Sequence, residues 1–273
     1  MPRYGMVVDV TKCDGCYNCF IVCKDEHCGQ AKPGYAAAQP MTGQDWIKIV
    51  PKERGRFPKV KQDYTAVPCL QCEAPACASA GDGAVYKRDD GIVIIDPKKA
   101  AGQKELVSKC PYRRIYWNEQ ENVAQKCTFC AHLLDAGWKE PRCVEACPTG
   151  ALLFGDLDDP NSAVSQAMKS AEVMHPEFKL GEKVRFIGLP KNFVAGTVAY
   201  GDTDECAKGV TVTLQGEDGA VTTSTDAFGD FEFEGLPDNK AYKVTVSAPG
   251  YKAQDLEVKT YKSLYLGDIF LEK

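Results

Sequence analysis

The 273-residue chain has little histidine and no long apolar run, and these absences exclude several classes of protein. Three histidines leave few ligands for metal sites that mix cysteine with histidine. No window approaches the roughly 18 consecutive apolar residues of a transmembrane helix, so we expect no direct membrane insertion. A formal net charge of −5 gives no basic surface for nucleic acid. We find no nucleophile–base arrangement and no phosphate-binding loop, and we expect no catalytic residue in this chain.

The first residues also lack the pattern of a signal peptide. MPRYGMVVDVTKC runs directly into the first cysteine, without a positively charged segment followed by an apolar one. We therefore predict a cytoplasmic protein, with export alongside a signal-bearing partner as the alternative. Fourteen cysteines would indicate disulfides in a small secreted protein, but in a reducing compartment they indicate metal ligands.

Four cysteines near the start have the spacing C-x2-C-x2-C-x3-C, in TKCDGCYNCFIVCKD. In bacterial ferredoxins the first three cysteines of such a run hold one [4Fe–4S] cluster, and the fourth ligates a different one. A second run with the C-x3-C-P ending follows much later, in QKCTFCAHLLDAGWKEPRCVEACPTG. The two runs can complete their ligand sets only if the chain folds back on itself.

A middle group of cysteines, in VPCLQCEAPACASAG and SKCPY, supplies one more set of four ligands. The ferredoxin rule then assigns twelve cysteines to three [4Fe–4S] clusters. Cluster one takes Cys13, Cys16, Cys19 and Cys147; cluster two takes Cys23, Cys127, Cys130 and Cys143; cluster three takes Cys69, Cys72, Cys77 and Cys110.

A fourth cluster and a zinc site are the alternatives to this assignment. A fourth cluster would need cysteine at Gly81 and further cysteines between Cys77 and Cys110, and the sequence has neither. Structural zinc also uses C-x2-C pairs, but the triplet C-x2-C-x2-C followed by x3-C favours iron and sulfur. We predict three clusters, with the fourth site absent.

The remaining cysteines, histidines and nearby aromatics receive no ligand role. We expect two reduced, partly buried structural cysteines, Cys28 and Cys206. We interpret His132 as helix packing or a hydrogen-bond donor near a ligand, and His27 and His175 as surface or packing residues. Beside Cys110, we expect either shielding of cluster three or core packing from Tyr116 and Trp117.

The pattern of apolar residues predicts an α+β ferredoxin-like domain followed by an all-β, immunoglobulin-like sandwich. We place the cluster-binding domain at residues 1–155, a helix and extended connector at 156–194, and the sandwich at 195–273. Predicted strands include YGMVVDV and DWIKIV, with insertion loops around the second. A hairpin is expected at Asp90-Gly91, and a helix is expected to follow Asp158-Asp159-Pro160 and reach about Val173.

The order of these motifs resembles the iron–sulfur subunits of molybdopterin oxidoreductases in the dimethyl-sulfoxide-reductase family, over residues 1 to about 190. Gly81, the isolated Cys110 in KCPYRRIYWNEQENVAQKC and the tail TDAFGDFEFEGLPD resemble small subunits of the pyrogallol–phloroglucinol transhydroxylase type. The tail itself resembles the carboxypeptidase-regulatory-like sandwich of the prealbumin or Cna-B type. Pro148 in CVEACPTGALLFG departs from the transhydroxylase pattern by keeping the ordinary ferredoxin ending.

The resemblance implies a heterodimer in which a large subunit carries molybdenum or tungsten on bis-molybdopterin guanine dinucleotide, together with the active site. The chain would then be the electron-transfer subunit of an enzyme acting on polyhydroxylated aromatics, as a transhydroxylase, hydroxylase or dehydroxylase. Two alternatives remain: the iron–sulfur subunit of an anaerobic respiratory reductase, and a free-standing polyferredoxin carrier with a β-domain.

Overall fold

The computed structural model describes residues 2–273 and divides them into two compact units. The first unit holds the chain up to Pro51 together with Asp63–Leu189, and the second holds Lys52–Gln62 and Pro190–Lys273. Among the described residues, no helix combines the length and apolar character needed to cross a membrane.

Strands predominate over helices in residues 2–273. The strands are β1 (Tyr4–Asp9), β2 (Lys48–Arg56), β3 (Lys59–Val67), β4 (Val85–Lys87), β5 (Val93–Ile95), β6 (Tyr116–Asn118), β7 (Val123–Gln125), β8 (Leu152–Asp156), β9 (Val184–Ile187), β10 (Asn192–Tyr200), β11 (Thr211–Gly216), β12 (Gly219–Ser224), β13 (Asp230–Leu236), β14 (Ala241–Ser247), β15 (Gln254–Lys259) and β16 (Leu264–Leu271). The α-helices are α1 (Asn18–His27), α2 (Ala131–Asp135), α3 (Arg142–Glu145) and α4 (Ala163–Met168). Short 3-10 helices lie at Val10–Lys12, Ala76–Ala80, Lys104–Lys109 and Pro176–Phe178.

The first unit is built on a three-stranded sheet with the order β8-β1-β9. β1 runs antiparallel to β8, with Val7 opposite Leu153, and parallel to β9, with Val7 opposite Arg185. Met6, Val7 and Val8 have no exposed surface, as expected of an apolar strand covered on both faces. The pairing of β1 with β8 brings the first cysteine run and the last one to the same end of the sheet.

The predicted hairpin around Asp90-Gly91 is present. Val85 in β4 lies opposite Ile95 in β5, and the loop places Gly91 at a φ of +85°. Asp90 holds the loop by accepting the amide N–H of Ile92 at 3.0 Å.

The second unit is a β-sandwich of a three-stranded sheet, β13-β10-β16, and a four-stranded sheet, β12-β11-β14-β15. Alternate residues of the inner strands, among them Val212, Leu214, Val244 and Val246, form its buried core. This period-2 pattern is the one from which we predicted a sandwich, and the all-β fold of the tail is confirmed.

The predicted connector at residues 156–194 differs from the structure in two ways. Residues 184–187 form β9, an edge strand of the first sheet, because their alternating Val184 and Phe186 side chains fill the core beneath it. The helix is shorter than predicted: it is α4, it ends at Met168, and its N-cap is Ser162, whose hydroxyl accepts the amide N–H of Ser165 at 3.1 Å. The C-terminal segment of the second unit begins at Pro190, a few residues before the predicted position 195.

The segment predicted as insertion loops forms the long hairpin β2–β3 instead. Its strands are largely polar and therefore lack the apolar alternation that would have indicated them. The tip, Lys52–Gln62, is part of the second unit, where Lys59 pairs with Asp230 at 2.8 Å and Lys61 pairs with Glu232.

Candidate functional site: three groups of cysteines

All fourteen cysteines are free thiols, and the twelve predicted ligands all lie in the first unit. We use the names group one, group two and group three for the ligand sets predicted for clusters one, two and three. The proximity of the members of each group appears in their mutual effect on thiol pKa, because a negative charge nearby disfavours formation of another.

Group one joins the start of the chain to Cys147, which follows α3. Cys13 ends the first 3-10 helix and Cys19 lies in α1. Burial, followed by the charges of the neighbouring Cys13 and Cys147, raises the pKa of Cys19 to about 12. Burial also raises the pKa of Cys13, with contributions from Cys147 and Cys16. The long-range pairing of Cys147 with the first run is the one that the ferredoxin rule requires.

The loop between Cys13 and Cys16 depends on Gly15. Its φ of +74° is unfavourable for any residue with a Cβ, and a Cβ there would approach the ring of Tyr64 to 2.6 Å. Asp14 stabilises the loop by accepting the amide N–H of Cys16 at 3.1 Å. Cys16 is itself exposed, so group one lies at the surface of the unit.

Group two is enclosed more deeply. Burial raises the pKa of Cys23 well above its usual value, and Cys127 and Cys130 add to the rise. Burial likewise raises the pKa of Cys143, followed by the effects of Cys130, Cys127 and Cys23. The loop that holds Cys127 and Cys130 has left-handed backbone at Phe129 (φ +53°) and at Cys130 (φ +50°).

Group three lines a single cavity in the first unit. Its lining includes an apolar wall of Leu70, Val93 and Ile115, one buried lysine, Lys126, and all four predicted ligands, Cys69, Cys72, Cys77 and Cys110. The amide N–H of Arg114 donates to the sulfur of Cys110 at 3.3 Å, an interaction that favours the thiolate form. Four thiols, an apolar wall and one cation are a donor set that fits a [4Fe–4S] cluster.

Cysteines of group two lie near members of both other groups. Cys19 of group one contributes to the raised pKa of Cys143 in group two, after burial and the cysteines of group two. Burial raises the pKa of Cys127 in group two to about 11, and Cys69 of group three is the next cause. Neighbouring groups are therefore close enough for their charges to interact.

Apolar packing fills the surroundings of Gly81, where a fourth group would have needed a ligand. A Cβ at Gly81 would lie 3.0 Å from a methyl of Val85 and 3.2 Å from one of Leu106. Both neighbours are buried and belong to a core cluster with Ile95 and Val123.

Among residues 2–273, no three side chains of the His, Cys, Asp and Glu types come together tightly enough to hold a single metal ion. A single zinc ion draws its thiolates to about 2.3 Å from one centre. In a [4Fe–4S] cluster each thiolate binds a different iron at a corner of the cube, so the four sulfurs stand farther apart. The donor set of group three, four thiols beside an apolar wall, fits the cluster.

His27 lies closer to a ligand than the sequence indicated. It is buried, its ring packs on Trp46 at 4.7 Å, and its Nε2 is 3.7 Å from the sulfur of Cys130. Burial lowers the pKa of His27 to about 3, and nearby His132 lowers it further. His132 itself meets Glu26 at 2.9 Å, in agreement with a packing role on α2. Only the C-x2-C spacing was visible in the sequence, and it gives no information on a contact from α1.

Other side chains differ in how well they match expectation. Cys206 is exposed rather than partly buried: it lies in the segment between β10 and β11, where its backbone forms an isolated bridge with Ala199. Cys28 is partly exposed and its thiol is 3.8 Å from the sulfur of Met41. Tyr116 donates its hydroxyl to the carbonyl of Asp45 at 2.7 Å, and Trp117 packs against the core cluster that surrounds Gly81.

Comparison with known proteins agrees with this architecture. Residues 60–157 match the family described as 4Fe-4S dicluster domain, and residues 194–263 match the carboxypeptidase regulatory-like domain. The chain is 43% identical to the pyrogallol hydroxytransferase small subunit of Pelobacter acidigallici, over 99% of this chain and 100% of that protein. It is 34% identical to Protein NrfC of Escherichia coli, over 69% of this chain and 81% of that protein. A tetrathionate reductase subunit of Salmonella typhimurium is 33% identical, over 70% of this chain and 75% of its own length.

The match to the first of these relatives covers 99% of this chain and so includes the sandwich as well as the cysteine-rich unit. The protein is thus an electron-transfer iron–sulfur subunit of an enzyme complex. The chain belongs to the family of iron–sulfur subunits of dimethyl-sulfoxide-reductase-type oxidoreductases.

Proposed function

We propose that this chain carries three [4Fe–4S] clusters and transfers single electrons to or from a large molybdopterin-containing subunit that acts on polyhydroxylated aromatics. The observation that carries the proposal is the cavity that all four cysteines of group three line, and the raised thiol pKa values within groups one and two support it. Clusters bound there would accept and release one electron at a time.

The residues of the chain have defined tasks in this proposal. The twelve thiolates hold the clusters, and the apolar walls around groups two and three keep water from them. Because Cys16 is exposed, group one is the group at which we expect electrons to pass between this chain and a partner protein. The apolar packing around Gly81 supports three clusters rather than four.

The aromatic substrate class is supported by the pyrogallol hydroxytransferase small subunit, which is 43% identical over essentially the whole of both chains. A bis-molybdopterin guanine dinucleotide carrying molybdenum or tungsten would belong to the catalytic partner. It would supply the chemistry at the aromatic ring, and this chain would supply or remove electrons. The cytoplasm remains our proposed compartment, since it keeps twelve thiols reduced for cluster binding.

A respiratory reductase subunit is the second candidate, because Protein NrfC and the tetrathionate reductase subunit are also relatives. Their similarity covers about 70% of this chain, against 99% for the hydroxytransferase subunit. The two candidates predict the same clusters and differ in the substrate of the partner.

The test is to purify the native complex through this chain without oxygen, measure its metals, and assay it on two kinds of substrate. We expect molybdenum or tungsten in the complex, and turnover of trihydroxybenzenes. Turnover of tetrathionate or another respiratory acceptor, with none of the phenols, would favour the second candidate. Iron without either metal would refute both and leave the free carrier.

A further inference from the structure

Three lysines directly precede a cysteine ligand in the sequence: Lys12, Lys109 and Lys126. Two of them face solvent. Lys12 pairs with Asp9 at 3.3 Å, and Lys109 is exposed. Lys126 is different, because only 2% of its surface is exposed. Water and counter-ions screen the first two charges, but they cannot reach the third.

The contacts of Lys126 leave its charge without a protein counter-ion. Its Nζ donates to the carbonyl oxygen of Cys127 at 3.1 Å and to that of Val93. A lysine ammonium has three N–H donors, so one remains available. Within residues 2–273, no carboxylate forms an ion pair with Lys126. Burial of an uncompensated charge costs several kcal/mol, so a counter-charge is expected close by.

That counter-charge is expected in the adjacent cavity. Lys126 lines the cavity of group three beside the four cysteines. Lys126 also directly precedes Cys127 of group two, and its Nζ donates to the carbonyl oxygen of that residue at 3.1 Å. Its charge therefore lies beside two groups at once.

We propose that the Lys126 ammonium is the internal counter-charge of cluster three, and to a lesser degree of cluster two, and that it holds both reduction potentials above the values a neutral side chain would give. This inference rests on the proposed function, since it requires clusters in groups two and three. Reduction adds one electron, and hence one negative charge, to a cluster, with no bond made or broken. The electron comes from the catalytic partner or from a chemical reductant such as dithionite. A buried positive charge favours the reduced form.

The test compares three variants of the full chain, each purified with its partner without oxygen: Lys126→Gln, Lys126→Arg and Lys109→Gln. Iron is measured first, and the clusters are then titrated with dithionite and followed by electron paramagnetic resonance. We expect Lys126→Gln to lower the potential of cluster three most, that of cluster two less, and that of cluster one not at all. Lys126→Arg keeps the charge and Lys109→Gln removes an exposed one, so both should keep wild-type potentials.

Each outcome has a defined meaning. Unchanged potentials in Lys126→Gln with full iron content would overturn the inference. If the glutamine variant lost about four irons and the arginine variant kept them, the counter-charge role would be supported through cluster stability. Loss of iron in both variants would overturn it, because a steric role would explain that result. If the wild-type protein contained far fewer than about 12 irons per chain, the proposed function would be refuted. That result is obtained before any variant is measured, so it is distinct from failure of the inference about Lys126.

Discussion

Individual side chains set how each cluster responds to electrons, and His27 illustrates this at group two. Its Nε2 is 3.7 Å from the sulfur of Cys130, in a buried setting beside Trp46. Hydrogen bonds to cluster sulfurs raise the reduction potential because they stabilise the more negative state. We predict that His27→Phe keeps the ring packing and lowers the potential of cluster two in a redox titration. His175→Phe, which alters a histidine outside the three groups, is the control; a potential unmoved by His27→Phe would contradict the prediction.

Gly81 provides a second test at the scale of one residue. Its surroundings are packed by Val85 and Leu106, so a cysteine there has no cavity to face. We predict that Gly81→Cys leaves iron at about 12 atoms per chain and lowers the free energy of unfolding by about 1–3 kcal/mol through overpacking. Ser79→Cys is the matched control, because it adds a thiol at a nearby exposed position. A gain of about four irons in Gly81→Cys would show that a fourth site can form.

The sequence indicates candidate ligands but not the side chains that surround them. The spacing of the twelve cysteines can be read from the sequence, because three ligands of a cluster lie in one short loop and the fourth follows a general rule. The contacts of His27 and Lys126 cannot be read from it, because each depends on how a segment distant in sequence packs. Lys126 shares its Lys-Cys context with two exposed lysines, so only burial distinguishes it.

At the scale of elements, the hairpin β2–β3 is the feature that sequence patterns identify least well. Gly55 lies in β2, two residues before the turn at 57–58, with a φ of +88°, and a Cβ there would overlap the carbonyl of Lys59 and the ring of Phe193. We predict that Gly55→Ala destabilises the second unit by more than the roughly 1–2 kcal/mol of left-handed backbone alone. Gly250→Ala is the matched control in the same unit, with φ +83° and open space around its Cβ.

Chemical denaturation of the full chain, followed by a signal from the sandwich, would measure both variants. Equal losses of stability would contradict the close packing at Gly55, because both alanines then experience only the backbone strain.

Elements with apolar periodicity were predictable, and elements held by tertiary pairing were not. YGMVVDV predicted β1, because its apolar run is continuous. β9 was hidden in a segment with only Val184 and Phe186 to indicate it, and its existence depends on the parallel ladder with β1. The cluster of acids before α4 resembled an N-cap, but Ser162 performs that role.

At the scale of the whole molecule, the fold of the first unit and its ligand sets depend on each other. Cys147 comes from the last cysteine run but belongs with Cys13 and Cys19 from the first. We predict that Cys147→Ser loses about four of about 12 irons, the electron paramagnetic resonance signal of cluster one, and part of the binding to the catalytic partner. Cys28→Ser, which changes a cysteine outside the three groups, should keep all of them. Unchanged iron and partner binding in Cys147→Ser would refute the pairing.

The most direct test of the three-cluster proposal is the content of iron, acid-labile sulfide and zinc in the wild-type chain, purified with its partner without oxygen. Three [4Fe–4S] clusters require about 12 irons and about 12 sulfides per chain, and we predict both, with no stoichiometric zinc. About 16 irons would indicate a fourth cluster despite the packing around Gly81. Zinc in place of iron would contradict the assignment of all twelve cysteines.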